Sequence, residues 1–560
     1  MARSQGEFAG AYAMPDQYSA QVVEAVFAQG GNAVDAAVAA GFMLAVTYPE
    51  AGNLGGGGFM TLALGSGKHK QPLFLDYRET APKAATRDMY LNPQDEVVAY
   101  KSLVGYAASG VPGTVMGLWQ AHQKFGTLPW ANLLQPAIET AQQGFVVSEA
   151  LANTRDWYQQ WGLDKGGNSL NFAQYFSSLK AGERFVQPEL AQTLKLLAQE
   201  GASAFYQGKI AQQLVKQYQA KGGLITLEDL ATYQAKWREP IQVEWYGRQV
   251  ISAPPPSSGG IALAQLLSLY QQLEPRFDAA LAETELAGGS TEALRAHFYA
   301  ELSKRVYADR AEYLGDSDFV SVPQTALLES AYLVKRAQAV NFQAISKTDT
   351  IRPGPIESPE TTHFSILDAQ GNAVANTYTL NMPFGNGVVI EGAGFLMNNE
   401  MDDFSTKPGV ANLFGVLGGR ANEIAPQKRM LSSMSPTLVL YDNQVESVLG
   451  TPGGSSIITS VFQTLVNLYR RQMTAQEAVD APRVHHQLFP KDQIAFHPEL
   501  EAETQQTLEQ MGYRLQRHNY LGDLQLIWHG TTGWQAAADW RGRGQAAVLF
   551  KPTVAVPTQP

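Results

Sequence analysis

Three short segments hold residues whose types and spacing could do chemistry. The first is Pro359-Glu360-Thr361-Thr362-His363, at the junction between a polar, proline-bearing stretch and a β-rich part. The second is Lys428-Arg429-Met430-Leu431-Ser432-Ser433-Met434-Ser435-Pro436. The third, Gly450-Thr451-Pro452-Gly453-Gly454-Ser455-Ser456, lies between a strand-like and a helix-like run. Backbone N–H groups at such a glycine pair, near a helix N-terminus, could stabilise an oxyanion. Each segment also has an ordinary reading. A Thr-Thr pair at a strand start is a β-former, a Ser-Ser pair is a loop, and Pro-Gly-Gly before a helix is a turn. Composition and periodicity do not decide between the two.

Other chemistries are easier to set aside. There is no cysteine, so disulfides, thiolate zinc sites and a Cys nucleophile are excluded. Gly65-Ser66-Gly67-Lys68-His69 has Leu62 where a phosphate loop needs its first glycine. The sequence contains neither H-E-x-x-H nor G-x-S-x-G. The His485-His486 pair lacks partners at metal spacing and reads as structural or solvent-facing. With 52 acidic against 41 basic residues and a net charge of −11, a general nucleic-acid binder is not expected.

The elements that must position these segments can be read coarsely. Of the 560 residues 45% are hydrophobic, enough for a large core. Tyr18 to Gln29 has helical spacing and is closed by Gly30-Gly31-Asn32. A second helix, about Ala33 to Thr47, is rich in small residues and predicts tight packing on all sides. Its apolar run, Ala36 to Val46, is too short for a bilayer, which needs about 20 residues. Gly55 to Gly58 implies close approach to the backbone or unusual dihedrals, followed by a strand at Phe59 to Leu64. Residues 130–237 and 263–311 read mostly as helices, the latter broken at Gly288-Gly289-Ser290, with strand-like Gln242 to Ser252 between them. Strands are expected at Thr362 to Leu367, Ala373 to Leu380, Val388 to Ile390, Thr437 to Tyr441 and Ser447 to Leu449, and a helix at about Ser456 to Tyr469. Ser346 to Pro359 reads as an exposed loop. One large unit with helical excursions fits better than several domains.

Taken together, these segments resemble the gamma-glutamyltransferase (gamma-glutamyl transpeptidase) family of N-terminal nucleophile hydrolases, from about Gly31 to His486. The matching stretches include GNAVDAAVAA at 31–40, EAGNLGGGGFM at 50–60, LDYRETAP at 75–82, SGVPGTVMGL at 109–118, PPPSSGG at 254–260 and YADRAEYLGD at 307–316. Further on are TTHFSILDAQGNAVANTYTLN at 361–381, FLMNNEMDDFS at 395–405, KRMLSSMSPT at 428–437 and TPGGSS at 451–456. The C-terminal part after about 487 matches loosely, and 281–292 looks like a local insertion.

The resemblance implies an α+β fold, a four-layer αββα sandwich of two stacked, mainly antiparallel sheets. It implies a precursor that cuts itself between Glu360 and Thr361 into a large subunit, 1–360, and a small one, 361–560, which stay together as a heterodimer. Thr361 would then be the nucleophile. A Thr hydroxyl is weak alone and needs a base, which the freed α-amino group supplies, its ordinary pKa being about 7.7–8.0. Residue by residue, Thr379 would bond and tune the Thr361 hydroxyl, and Gly453 and Gly454 would form the oxyanion hole. Arg78 would hold the substrate α-carboxylate, with Ser432 and Ser433 adding hydrogen bonds. Asn381, Glu400 and Asp403 would hold the α-ammonium group. Pro408 to Lys428 would form a lid gated by Phe414.

The implied reaction moves a γ-glutamyl group from glutathione or a similar donor to Thr361, then to water or an amino-acid or peptide amine. Neither a metal nor an organic cofactor is implied, and no nucleic-acid partner or membrane span is expected. Rival readings are a cephalosporin (glutaryl or adipyl) acylase, a poly-γ-glutamate hydrolase of the same superfamily, and an uncleaved inactive scaffold. Relatives of this kind usually work in the periplasm or outside the cell. The first residues show no apolar signal-peptide core, so a periplasmic or secreted location is implied by resemblance alone.

Overall fold

The computed structural model describes residues 7–65, 71–166, 170–346, 361–407 and 419–551. Two antiparallel sheets form its centre. The first has seven strands: β1 (Phe8–Met14), β2 (Gly57–Ala63), β3 (Leu73–Asp76), β4 (Lys236–Arg238), β7 (Thr362–Asp368), β8 (Ala373–Thr379) and β13 (Gln545–Phe550). Their spatial order is β13-β1-β7-β8-β2-β3-β4. The second has six: β5 (Ile241–Trp245), β6 (Arg248–Ser252), β9 (Thr437–Tyr441), β10 (Gln444–Gly450), β11 (Gln525–Gly530) and β12 (Gly533–Ala538). They run in the order β12-β11-β10-β9-β6-β5. Both sheets draw strands from before and after position 360: in the first they interleave, and in the second β9 pairs with β6 where the two sets meet.

Side-chain alternation separates the faces. In β1, Ala11 and Ala13 point between the sheets, packing with Ala63, Leu367, Ala373 and Ala375 against Ile251, Leu438, Val448 and Ile527 of the other sheet. These small residues let the sheets approach, and Thr61 Oγ1 donates across the gap to the Pro436 carbonyl (2.8 Å). The opposite face of the first sheet, including Tyr12, Met14, Met60, Ile366 and Tyr378, packs against helices α1 (Gln17–Ala28) and α2 (Ala33–Thr47) and the helices of residues 114–232. The outer face of the second sheet, including Trp245, Val250, Val439 and Leu526, packs against α3 (Gly259–Leu286), α4 (Thr291–Tyr313) and α5 (Ser456–Tyr469). The expected helix–sheet–sheet–helix layering is what the clusters form.

Helix α2 is buried along its whole length, as its small residues require. Asn32 and Asp35 form a reciprocal cap at its start, and Tyr378 Oη donates to the Gly41 carbonyl inside it (3.1 Å). Gly288-Gly289-Ser290 is the turn between α3 and α4, with Ser290 capping α4. One strand expectation fails. Val388 to Ile390 is not a strand; only an isolated bridge, Val389 to Leu396, forms there, in a segment held by loop hydrogen bonds. Most of the loop expected at Ser346 to Pro359 lies outside the described residues. Among the described residues no helix is long and apolar enough to cross a membrane.

Candidate active site

Thr361 stands immediately before β7 and is 7% exposed. The β7–β8 register pairs Thr362 with Tyr378, so extending it sets Thr361 opposite Thr379. Strand alternation puts Thr361 in phase with His363, Ser365 and Leu367, on the face toward the second sheet, where Ser365 Oγ donates to the Gln525 carbonyl (3.1 Å). Thr362 has the other phase, with Phe364 and Ile366, and among the described residues its buried hydroxyl has no hydrogen-bond partner.

Strand β10 of the second sheet ends opposite this point. Gly450 lies against the His363 ring: a Cβ at 450 would meet His363 Cε1 at 2.4 Å. The ring is held by Thr377 Oγ1 at Nδ1 (2.7 Å) and Ser365 Oγ at Nε2 (3.1 Å). Burial pushes its pKa down to about 3, so the imidazole is neutral. The chain then turns through Gly453 (φ +133°) and Gly454 (φ +56°), backbone that side-chain-bearing residues rarely adopt, and enters α5. Among the described residues nothing accepts a hydrogen bond from the Gly453 or Gly454 amide. Gly453's carbonyl instead accepts from Ser456 N (3.1 Å) and Ser456 Oγ (2.7 Å), which fixes the turn. Two unpaired N–H groups at a helix N-terminus make a site for developing negative charge.

Arg78 follows β3 and is 1% exposed. Its guanidinium forks onto two carboxylates, Nη1 to Glu400 and Nη2 to Asp403. Nε and Nη2 also lie 3.4 Å from the Met430 and Leu431 carbonyls, two and one residues before Ser432. Buried charges need such partners, since an unpaired one would cost several kcal/mol, on the order of 3–5. The sequence reading put Arg78 and the Glu400–Asp403 pair at opposite ends of a zwitterion; here they are each other's counter-ions.

Asn381 (φ +76°) donates from its backbone N to Thr379 Oγ1 (2.8 Å) and from Nδ2 to the Asn399 carbonyl (3.0 Å), beside Glu400. Ser432 and Ser433 are buried in the loop before β9. The structure therefore brings Thr379, Asn381, Glu400, Asp403, Arg78 and the serine pair into one connected region, while the strand that leads to Gly453 and Gly454 meets β7 through Gly450 and His363. Glu360 and Phe414 lie outside the described residues, as does the lid segment 408–418.

The four-glycine run is explained by the protein's own strands. A Cβ at Gly55 would sit 2.1 Å from the Leu396 carbonyl oxygen, and one at Gly56 2.0 Å from that of Thr379. Gly57 admits Glu79, whose buried carboxylate oxygens have no hydrogen bond among the described residues. Burial pushes Glu79 up to about 8 against the pull of Arg78, so it is largely protonated at neutral pH. His485 and His486 are both buried and structural: His485 bonds Thr459 (2.8 Å) and Gln487 (2.8 Å), and His486 bonds the Gln493 carbonyl (2.6 Å). No group of three possible metal ligands occurs among the described residues.

Sequence reasoning passed over Arg310, Ser257 and Ser258. All three lie within quoted motif stretches, YADRAEYLGD and PPPSSGG, but a single Arg or Ser there has no signal of its own. Their backbone and side-chain bonds to the 432–434 loop appear only in three dimensions.

The family model described as gamma-glutamyltranspeptidase matches residues 19–549. A glutathione hydrolase proenzyme of Pseudomonas aeruginosa is 53% identical over 543 residues, 96% of this chain and 94% of that one. A glutathione hydrolase proenzyme of Escherichia coli is 44% identical over 94% of this chain and 89% of that one. A solved gamma-glutamyltranspeptidase chain from Pseudomonas nitroreducens, complexed with L-DON, is 50% identical with a TM-score of 0.57, covering 63% of this chain and 99% of its own. An acylase proenzyme of Pseudomonas is 39% identical over 81% of this chain and 78% of that one. A cephalosporin acylase structure from Bacillus halodurans, 24% identical, shares the fold at a TM-score of 0.80 over 98% of this chain and 97% of its own.

Proposed function

Because the chain belongs to the gamma-glutamyltranspeptidase family and is a glutathione hydrolase and γ-glutamyltransferase, we propose that Thr361 is its nucleophile and that the chain exposes it by cutting its own Glu360–Thr361 bond. The Thr361 hydroxyl attacks the Glu360 carbonyl, the acyl group shifts from nitrogen to oxygen, and water hydrolyses the ester. The products are residues 1–360 and 361–560. The proenzyme naming of the relatives supports such processing. The two products stay together because each contributes strands to both sheets, so separating them would expose both sheet cores.

In the mature enzyme the α-amine of Thr361 takes the proton of its own hydroxyl as that oxygen attacks the γ-carbonyl of the donor. Thr379, opposite in the ladder, bonds the hydroxyl. The oxyanion receives the Gly453 and Gly454 N–H groups. The leaving amine takes the proton, and water or a second amine reverses the sequence on the acyl-enzyme. The donor's α-carboxylate enters at Arg78, Ser432 and Ser433. Its α-ammonium replaces part of the Arg78 charge at Glu400, Asp403 and Asn381. A ligand carrying both charges keeps every buried ion paired, which favours a free γ-linked glutamate.

The similarity to acylases supports a second reading, glutaryl-side-chain hydrolysis. A glutaryl group has no ammonium to meet the Glu400 and Asp403 carboxylates, so γ-glutamyl donors should outcompete it. By family resemblance only, the enzyme is assigned to the periplasm or the cell exterior, which cell fractionation tests.

The observation that carries the reading is the strand phase: Thr361 shares the phase of His363, whose ring rests against Gly450, and Thr362 has the opposite phase. A denaturing gel with N-terminal sequencing tests it. Two fragments are expected, the smaller beginning at Thr361. Thr361→Ala should stay whole and inactive, and Thr362→Ala should still be cut. An uncut wild-type chain, or cleavage that survives Thr361→Ala, overturns the proposal.

A further inference from the structure

We propose that Arg310 and Ser258 are positioning residues that aim the Ser432 and Ser433 hydroxyls, making the pair a receptor for a carboxylate. The inference rests on the reading of Ser432 and Ser433 as part of the donor's α-carboxylate site.

A serine hydroxyl has one proton to donate and two lone pairs to accept with. Ser433 Oγ accepts from Arg310 Nη2 (3.1 Å), and Ser432 Oγ accepts from the Met434 amide (3.1 Å). Among the described residues neither hydroxyl donates to a protein acceptor. Both serines are buried, at 3% and 0% exposure, so water does not readily serve them. Protein donors thus occupy the accepting side of each oxygen and leave its proton for a ligand. An acceptor-only group such as a carboxylate satisfies both protons, whereas a carboxamide turned the wrong way or an ammonium meets two donors backed by a cation.

The same guanidinium fixes the loop's backbone through Ser258. Arg310 Nε donates to Ser258 Oγ (2.8 Å), which donates onward to the Ser432 carbonyl (2.7 Å). The Ser258 amide reaches that carbonyl too (2.7 Å), and the Ser432 amide donates to the Pro256 carbonyl (2.9 Å). Arg310 projects from the last turn of α4 and is 1% exposed, so its guanidinium is held inside the protein. Its charge also polarises the Ser433 O–H, strengthening it as a donor.

The test uses mature, purified enzyme and two donors, γ-glutamyl-p-nitroanilide and the same compound with its α-carboxylate amidated. Ser258→Ala and Arg310→Met should each raise KM for the acid donor about tenfold, with kcat within about twofold. The preference for acid over amide should shrink by a similar factor. Arg310→Lys, which keeps the charge but not the fork, should fall between wild type and Arg310→Met. In the Arg310→Met/Ser433→Ala double variant the two KM effects should be less than additive in free energy. Additive effects, or equal losses in kcat and KM with the acid preference intact, overturn the inference and leave Arg310 as packing only. If Ser433→Ala itself leaves KM unchanged, the carboxylate-site reading falls, and the inference with it. Should Arg310→Met fail to mature, Ser258→Ala decides the question by the same readouts.

Discussion

Replacing Gly450 by alanine probes the closest approach of the two sheets at the site. The added Cβ would stand 2.4 Å from His363 Cε1, 2.5 Å from Nδ1 and 2.8 Å from Nε2. Ordinary contact begins near 3.4 Å, so something must yield by 3.4 − 2.4 = 1.0 Å. The ring cannot swing aside without losing its bonds to Thr377 and Ser365. That would cost about 1 kcal/mol per bond, added to about 1–3 kcal/mol for overpacking. The alternative is that β7 shifts, and Thr361, two residues from His363, shifts with it. A misplacement of about 1 Å at a nucleophile costs roughly 100-fold in rate. Gly450→Ala is therefore expected to slow both self-cleavage and turnover about 100-fold. Gel densitometry over time and steady-state kinetics would measure the two. Adding His363→Ala removes the obstructing ring and should recover at least about tenfold of that loss, judged against His363→Ala alone. Maturation of Gly450→Ala at the wild-type rate, or a double variant no better than the single one, would refute the steric argument.

Other perturbations separate the parts of the site. Arg78→Lys keeps the charge but loses the fork onto Glu400 and Asp403, so KM for a γ-glutamyl donor should rise at least about tenfold in steady-state kinetics; an unchanged KM would contradict the assignment. At the turn, Gly454→Ala requires an alanine at φ +56°, a strain of about 1–2 kcal/mol, whereas Gly453→Ala requires φ +133°. Gly453→Ala should lose about 100-fold or more in kcat and Gly454→Ala clearly less; equal losses would argue against the turn geometry. Asp523, whose amide bonds Thr451 behind the turn, has a carboxyl pushed up to about 8 by burial, with Asp539 adding to it. An unfolded carboxyl ionises near 4, so between about pH 4 and 8 the native state holds a proton the unfolded chain has lost. This group's contribution to stability thus falls by about 1.4 kcal/mol per pH unit across that window. Asp523→Asn has no such proton, so its melting temperature relative to wild type should climb from pH 5 to pH 8; a gap that stays constant would refute the assignment.

Much of the scaffold was legible because its signals are local. The small-residue helix Ala33–Thr47, the paired strands around Asp368–Asn372 and the strand–turn–helix at 450–456 follow from periodicity and turn residues. Val388 to Ile390 misled because β-branched runs also suit a buried loop, and only hydrogen-bond partners distinguish the two. The glycine run was rightly read as a place of close approach, but its visitor is the protein's own Leu396 and Thr379 carbonyls. Arg310 and Ser258 were silent because their role depends on partners more than a hundred residues away in sequence.

By itself, then, the sequence determined the family, the layered fold and the residue types the reaction needs, since motif strings and strand and helix periods are written along the chain. The tertiary structure decided how those residues meet. It showed that Arg78 is shared between two carboxylates, that Thr361 and not Thr362 shares the strand phase of His363, and that His363 rests against Gly450. Such pairings depend on which strands lie side by side and in what register. A shift of one residue would turn Thr361 to the opposite face without changing a letter of any motif.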